Sequence, residues 1–270
     1  MDNFENFKIA LYRQVPQVAA AAEHLVQLFN RVSRQTQELK GNLEIESFFG
    51  RSKDGKFSNH VEEDVIQVVQ KMLLECSTWT CTEDWHIMYD YYLDDHQTRV
   101  RVSYKDEKQQ VNMIRKHRLG HVDLSYGQMR KSEWKLTDYL TRVTLKFEEP
   151  LTSPQNTLLH FKSVKMSMRK SFIVPSHNCS AVRWRFELVQ FWVSDSMESL
   201  EHSIQTEAPQ YSMECELLDL PDALSETDKY IMFASLLMKM EDFYTFPLCR
   251  LIAINEGQQQ SQLPTFLVQS

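Results

Sequence analysis

The spacing of apolar residues changes period along this chain. Val15, Val18, Ala22, Leu25, Val26 and Phe29 recur at helical spacing, with Arg31, Arg34 and Glu38 on the polar side. This predicts a mainly helical segment over 8–40, with Pro16 in a first turn, where its missing N–H is harmless. Gly41 interrupts the pattern, and the period then drops to two. Helical spacing returns over Val61–Leu74 through Val65, Val68, Val69 and Met72. Glu62, Glu63 and Asp64 stand in its first turn, where the helix dipole favours negative charge. From Asp84 to Leu218 alternation dominates, punctuated by turn-like Pro150–Pro154 and Pro175–Asn178. A last helix is predicted over 228–243, apolar through Ile231, Met232, Leu236, Leu237 and Met240, and a Gln-rich, poorly ordered tail from 256.

No internal repeat or linker interrupts this order. The expectation is one α+β domain over 1–270: helical segment 8–40, strands over about 42–220, C-terminal helix, and tail 256–270. No window approaches the apolar length of a membrane span, and MDNFENFKIALYRQ lacks the basic-then-apolar pattern of a secretory leader. No membrane association is expected.

The alternation matters because residues i, i+2 and i+4 of a strand share a face. Glu44 and Glu46 oppose Leu43 and Ile45. Arg142, Thr144, Lys146 and Glu148 oppose Val143, Leu145 and Phe147. Arg183, Arg185 and Glu187 oppose Trp184, Phe186 and Leu188, and Glu214 and Glu216 oppose Met213, Cys215 and Leu217. Arg99, Arg101, Lys165 and Arg169 extend the charged faces. One such strand is an ordinary amphipathic strand with a solvated face. The set is unusual, because Glu and Arg dominate it and Glu-x-Glu occurs on both its first and last strands. Carboxylates suit hard divalent cations, and the planar guanidinium fork suits phosphate. Acidic strands facing basic strands make a coherent site on the inside of a closed antiparallel barrel, with the apolar faces outside under the helices.

Composition narrows the chemistry. The 270 residues include only 6 glycines, none clustered, so a backbone phosphate loop is excluded and side chains must make any phosphate contacts. The formal charge is −7, which argues against a long nucleic-acid footprint but allows a short anionic end. The 5 cysteines form no CxxC pair, as expected in a reducing compartment. There is no HExxH; His117 and His121 are four apart, but beside Gly120 in an alternating stretch. Cys179 and Arg185 have the spacing of a cysteine phosphatase, without the glycines of its loop. Lys53-Asp54-Gly55 is not the Lys-x-Asp-Gly of a guanylyltransferase, and Met232, Met238 and Met240 read as helix core.

Seven segments, in order, resemble the tunnel-type, metal-dependent RNA triphosphatases of yeast-like, protozoan and large-DNA-virus mRNA capping systems. NLEIES at 42–47 resembles their first Glu-x-Glu strand, and GKFSNHVEEDVIQVVQKML the segment leading into a packed helix. MIRKHRLGHVDLSYG at 113–127 resembles their Lys/Arg-rich strand, and LTRVTLKFEEPL at 140–151 the strand ending in an essential Glu. MRKSF, VRWRFEL and MECELLD resemble their Arg-x-Ser, Arg-x-acid and final Glu-x-Glu strands.

The resemblance covers about 40–220. It implies an eight-stranded triphosphate tunnel with Glu44, Glu46 and Glu216 binding Mg2+ or Mn2+ and Glu214 in support. Arg101, Lys116, Arg169 and Arg185 would hold the triphosphate, and Glu148 would orient the attacking water. The implied reaction removes the γ-phosphate of triphosphate-ended RNA. The sequence departs from the family at Ser167, where a lysine is usual, leaving Lys165 or, on the opposite face, Lys170 to replace it. Glu187 stands for an Asp and Val189 for a Thr. The implied partners are the RNA 5′ end, NTP or tripolyphosphate, and a guanylyltransferase on a separate chain. The chain would be a monomer or homodimer, nuclear, or cytoplasmic in a cytoplasmically replicating virus. A tripolyphosphatase or NTPase on the same tunnel, or a non-catalytic barrel for an anion or RNA end, are the alternatives.

Overall fold

The computed structural model describes residues 3–37, 39–76, 79–95, 97–105, 108–125, 139–152, 160–175, 183–218, 220 and 223–255. The expected turn residues 153, 154 and 176–178, Cys179 and the tail 256–270 lie outside them.

The chain opens with two helices, α1 (Asn3–Gln14) and α2 (Pro16–Thr36), rather than one. Pro16 is the reason: with no N–H to continue the ladder, it starts a new helix, and Val15 adopts a non-helical φ of −141°. β1 (Asn42–Lys53) turns back into the short β2 (Lys56–Ser58), and α3 (Glu63–Glu75) follows with Glu63 and Asp64 in its first turn. The barrel strands are then β3 (Thr80–Tyr92), β4 (Thr98–Lys105), β5 (Lys108–Ser125), β6 (Tyr139–Leu151), β7 (Ser163–Pro175) and β8 (Arg183–Ser194). Before β9 (Gln210–Leu218), the expected alternation is interrupted by a helix, α4 (Met197–Thr206). Ser196 caps it by accepting from the Ser199 N–H at 3.2 Å, while Leu200 is fully buried. The last helix, α5 (Glu226–Asn255), starts two residues before the expected point and ends well beyond it. Its start is set by a reciprocal cap: Ser225 Oγ accepts from the Asp228 N–H at 3.1 Å, and Asp228 accepts from the Ser225 N–H at 3.2 Å.

The strands run β2-β1-β6-β5-β4-β3-β7-β8-β9, all pairs antiparallel, and β9 pairs back onto β1. Eight strands therefore close an α+β barrel, with β2 added beside β1. Val61 bridges Tyr211 of β9, so the chain leaving β2 passes between β1 and β9 where those strands diverge. Gly50 permits that passage: a Cβ there would lie 2.0 Å from the Ser58 carbonyl oxygen.

The barrel is apolar outside and charged inside. Ile45, Val143, Leu145, Phe172, Trp184, Phe186, Met213 and Cys215 join Val18, Ala22, Leu25, Val69, Phe233 and Leu237 in one core beneath α2, α3 and α5. A smaller cluster packs α4, through Leu200, against Val164 and Met166 of β7. Each fully buried large side chain contributes ~1.5–3 kcal/mol. The stabilising apolar burial thus lies outside the wall, leaving the interior to polar chemistry.

Candidate functional site

Strand register decides which side chains share the inner face. Glu46 is paired with Glu216, and Glu216 with Arg185; Phe48 is paired with Glu214, Glu214 with Glu187, and Glu187 with Ser171. On the other side, Glu44 is opposite Lys146, and Glu148 is opposite both Asn42 and Lys116. Arg101 faces Asp90, and Asp90 faces Lys165. All ten side chains assigned to the site from the sequence (Glu44, Glu46, Arg101, Lys116, Glu148, Arg169, Arg185, Glu187, Glu214 and Glu216) lie on this inner face.

These groups are knitted into ion pairs. Lys116 Nζ lies 2.6 Å from Glu44, 3.1 Å from Glu46 and 3.1 Å from Glu148. Lys146 donates to the other oxygen of Glu46. Arg169 donates to Glu187 at 2.5 Å and to Glu214 at 3.0 Å, and Arg185 donates to Glu216. Ser171 Oγ donates to the second oxygen of Glu187 at 3.0 Å. Glu148 has Lys116 and Arg99 as its partners, the latter at 3.7 Å, rather than its strand neighbours Lys146 and Arg142. Arg142 instead forms a two-pronged pair with Asp123, both bonds 2.7 Å.

Charge and burial set the protonation states. Burial, reinforced by the neighbouring Glu46 carboxylate, pushes Glu44 up to about 8. Burial opposes ionisation of Glu46 too, but Lys116 and Lys146 hold it well below the usual carboxylate range. The two therefore behave as a coupled pair in which one carboxylate keeps a proton that the other gives up. Burial likewise raises Glu216, with Arg185 working against it. Glu187 is carried down to about 2 by Arg169 and Arg185 against its burial.

The donor set suits a hard divalent cation: three glutamates on adjoining strands β1 and β9, with oxygen ligands only. Two of those carboxylates are raised by burial, which a bound cation would offset, and an ammonium already sits among Glu44, Glu46 and Glu148. Among the described residues, no three carboxylate, imidazole or thiolate groups are arranged as a ready-made metal cage, since lysine and arginine occupy the spaces between them.

One central residue was not singled out from the sequence. Asp90 is 1% exposed and accepts two bonds from Arg101, at 2.7 and 3.1 Å, with Arg99 3.5 Å away. Despite its burial, those two guanidiniums keep it well below the usual carboxylate range. A usable signal existed: Asp90 is a lone acid in the run Ile87–Tyr92, which is otherwise apolar or aromatic. Lys170 points outward to exposed Asp84, 3.0 Å away, so it is not available to the tunnel. The bulge between Arg118 and Gly120 puts His117 and His121 on opposite faces, which rules them out as a shared metal pair. Cys215 is buried in the outer core, and burial pushes its thiol up, so it is no nucleophile.

A closed antiparallel barrel with an apolar exterior and a tunnel of paired Glu, Arg and Lys defines the class: a triphosphate-tunnel fold. The same fold is seen in the RNA triphosphatase Pct1 of S. pombe, with a TM-score of 0.51 and 12% identity over 87% of this chain and 89% of that one. A structure of S. pombe Pct1 in complex with the Spt5 CTD gives a TM-score of 0.46 at 12% identity, covering 88% of this chain and 92% of that one. The Mimivirus capping enzyme triphosphatase gives 0.48 at 10% identity, covering 80% of this chain and 96% of that one. No protein-family model and no curated protein matches the sequence.

Proposed function

We propose that the chain is a Mg2+- or Mn2+-dependent hydrolase that removes the γ-phosphate from triphosphate-ended RNA, leaving a diphosphate end. The observation that carries this reading is the convergence, inside one closed tunnel, of Glu-x-Glu on both β1 and β9 with the basic strands β4, β5, β7 and β8. A pure anion binder gains nothing from inward carboxylates, which would repel its ligand.

Glu44, Glu46 and Glu216, with Glu214 beside them, would hold the ion. Once bound, it supplies positive charge to a γ-phosphate oxygen. Arg101, Arg169 and Arg185 are already fixed by Asp90, Glu187 and Glu216, so their remaining N–H groups offer donors that need little reorganisation as charge builds on the phosphoryl oxygens. Lys116 bridges the acidic and basic sides of the tunnel. Glu148 orients the attacking water and accepts its proton on a carboxylate oxygen. The bond from the γ-phosphorus to its bridging oxygen breaks, and inorganic phosphate leaves. The diphosphate end then passes to a guanylyltransferase on another chain, in the nucleus or, for a cytoplasmically replicating virus, in the cytoplasm.

The test is phosphate release from triphosphate-ended RNA, NTP and inorganic tripolyphosphate with Mg2+ or Mn2+. Release from RNA ends supports the proposal. Turnover confined to tripolyphosphate would make the chain a small-molecule tripolyphosphatase, and no release from any of the three would leave a binding barrel.

A further inference from the structure

Towards one end of the barrel the inner face turns from charged to aromatic. On β1 the inward series runs Glu44, Glu46, Phe48, and on β8 it runs Arg185, Glu187, Val189, Phe191. Phe48 is two residues, about 7 Å, past Glu46, and Phe191 four residues, about 13 Å, past Glu187. The short β2 and the segment after it bring two more rings to this end. Phe57 is opposite Ser52, which continues the inward series of β1. His60 precedes Val61, whose side chain joins the outer core, so His60 points inward, and its ring meets that of Phe191 edge to face with 5.5 Å between centroids. At the other end the same face carries Asn42, Ile173, Arg183 and Leu218, none of them aromatic.

Each of the three phenylalanines is matched with a cation. The Arg142 guanidinium carbon lies 4.3 Å from the centre of the Phe57 ring, Lys146 Nζ 4.9 Å from Phe48, and Lys165 Nζ 4.0 Å from Phe191. Rings that merely plugged the barrel would all be buried as Phe191 is, at 4% exposure. Phe48 and Phe57 are instead only half-buried, and His60 is exposed. Partial burial, with the Lys165 charge, lowers the His60 imidazole below its ordinary value, so this ring is neutral at pH 7. Accessible rings interleaved with cations are what a single-stranded nucleic acid needs, because every base has a π face to stack and the strand around it is anionic. Tripolyphosphate has no group that uses such rings.

We propose that this end is the mouth through which RNA enters, and that the first nucleobase of the triphosphate-ended strand stacks against Phe57 and His60. This deepens the proposed function and rests on the tunnel's accepting the triphosphate of an RNA end. The rings, and no further phosphate contact, distinguish an RNA end from tripolyphosphate. Stacking is tolerant of base identity, so the mouth accepts any first base.

The experiment is titration of the metal-free chain with a triphosphate-ended oligoribonucleotide carrying a fluorescent adenine analogue as its first base, and, separately, with inorganic tripolyphosphate by calorimetry. Stacking quenches the analogue, so its fluorescence should fall as the wild-type chain binds. Phe57→Ala and His60→Ala should each weaken the RNA by about 5-fold or more, the usual worth of a stacked base, and remove much of the quenching. Phe57→Tyr should retain both. Tripolyphosphate, having no base, should bind the two alanine variants as it binds the wild type. Tyr104→Ala, which removes an exposed ring from the outer face, should alter neither titration. His60 is exposed, so its variant decides the matter even where Phe57→Ala disturbs the fold. The proposal is overturned if the wild-type chain leaves the analogue unquenched, if both alanine variants bind RNA like the wild type, or if they lose tripolyphosphate to the same extent. A chain that stacks the base through these rings, yet releases no phosphate with Mg2+ or Mn2+, upholds the mouth and refutes hydrolysis.

Discussion

Asp90 is the residue on which the tunnel's electrostatics can be tested most severely by removal. Its carboxylate is 1% exposed and is the acceptor for Arg101 at 2.7 and 3.1 Å, with Arg99 at 3.5 Å. Asp90→Ala strands two guanidiniums inside the barrel, beside Arg169 and Lys165, which already repel them. Deleting one partner of a buried ion pair costs ~3–5 kcal/mol. Against a total stability of ~5–15 kcal/mol that is a large fraction. A loss of ~2–4 °C per kcal/mol for a chain of this size gives a fall of about 6–20 °C. Differential scanning calorimetry of the wild type and Asp90→Ala measures it. The double variant Asp90→Ala/Arg101→Met should recover part of the loss, because one stranded charge goes with its partner. If Asp90→Ala melts within about 2 °C of the wild type, under ~1 kcal/mol by the same conversion, the inner charges are not interdependent as described and the reasoning fails.

Other consequences follow from particular contacts. Glu216→Gln should leave the far-UV circular dichroism and melting temperature near wild type, whereas Glu46→Gln, which takes a buried carboxylate from Lys116 and Lys146, should keep the spectrum but melt lower. Both should lower metal-dependent phosphate release by about 100-fold or more; release at wild-type rates would remove these residues from the site. Gly50→Ala has no room beside the Ser58 carbonyl oxygen, and the backbone shift should cost ~1–3 kcal/mol by urea unfolding; an unchanged midpoint would mean the passage is looser than drawn. Asp90 and Glu187 have folded pKa values below their unfolded values of about 3.9 and 4.3, so their contribution is full above that range. That contribution is lost as pH falls towards about 2, so the melting temperature should drop there, less steeply in Glu187→Gln; a flat profile contradicts the pairing.

Much of this arrangement was legible in the sequence because alternation is a local signal. Arg-Trp-Arg-Phe-Glu-Leu assigns Trp184 and Phe186 to one face and Arg185 and Glu187 to the other, whatever the strands beside it. The inversion of the barrel followed from counting charged faces across strands. Partners did not follow, because pairing depends on register between strands distant in sequence. Glu148 belongs with Lys116 and Arg99 rather than with Lys146, two residues away. Asp90 escaped notice for the same reason, since its meaning depends on Arg101 across the β3–β4 pair. Helix α4 was hidden inside a strand-rich stretch: ten residues with one fully buried apolar side chain give a weak periodic signal, and its Ser196 cap gains significance only once the helix is known. The N-terminal break was readable at Pro16, yet a first-turn proline fits a long helix and a second helix equally well until Val15 is seen to leave helical geometry.

A crystal structure of the chain soaked with Mn2+ and inorganic tripolyphosphate, with anomalous density collected at the manganese edge, locates the metal and the polyphosphate together. One ion is expected inside the barrel, bound by oxygens of Glu44, Glu46 and Glu216, with the polyphosphate between it and Arg101, Arg169 and Arg185. Manganese bound only at the outer surface, with polyphosphate absent from the tunnel, would contradict it.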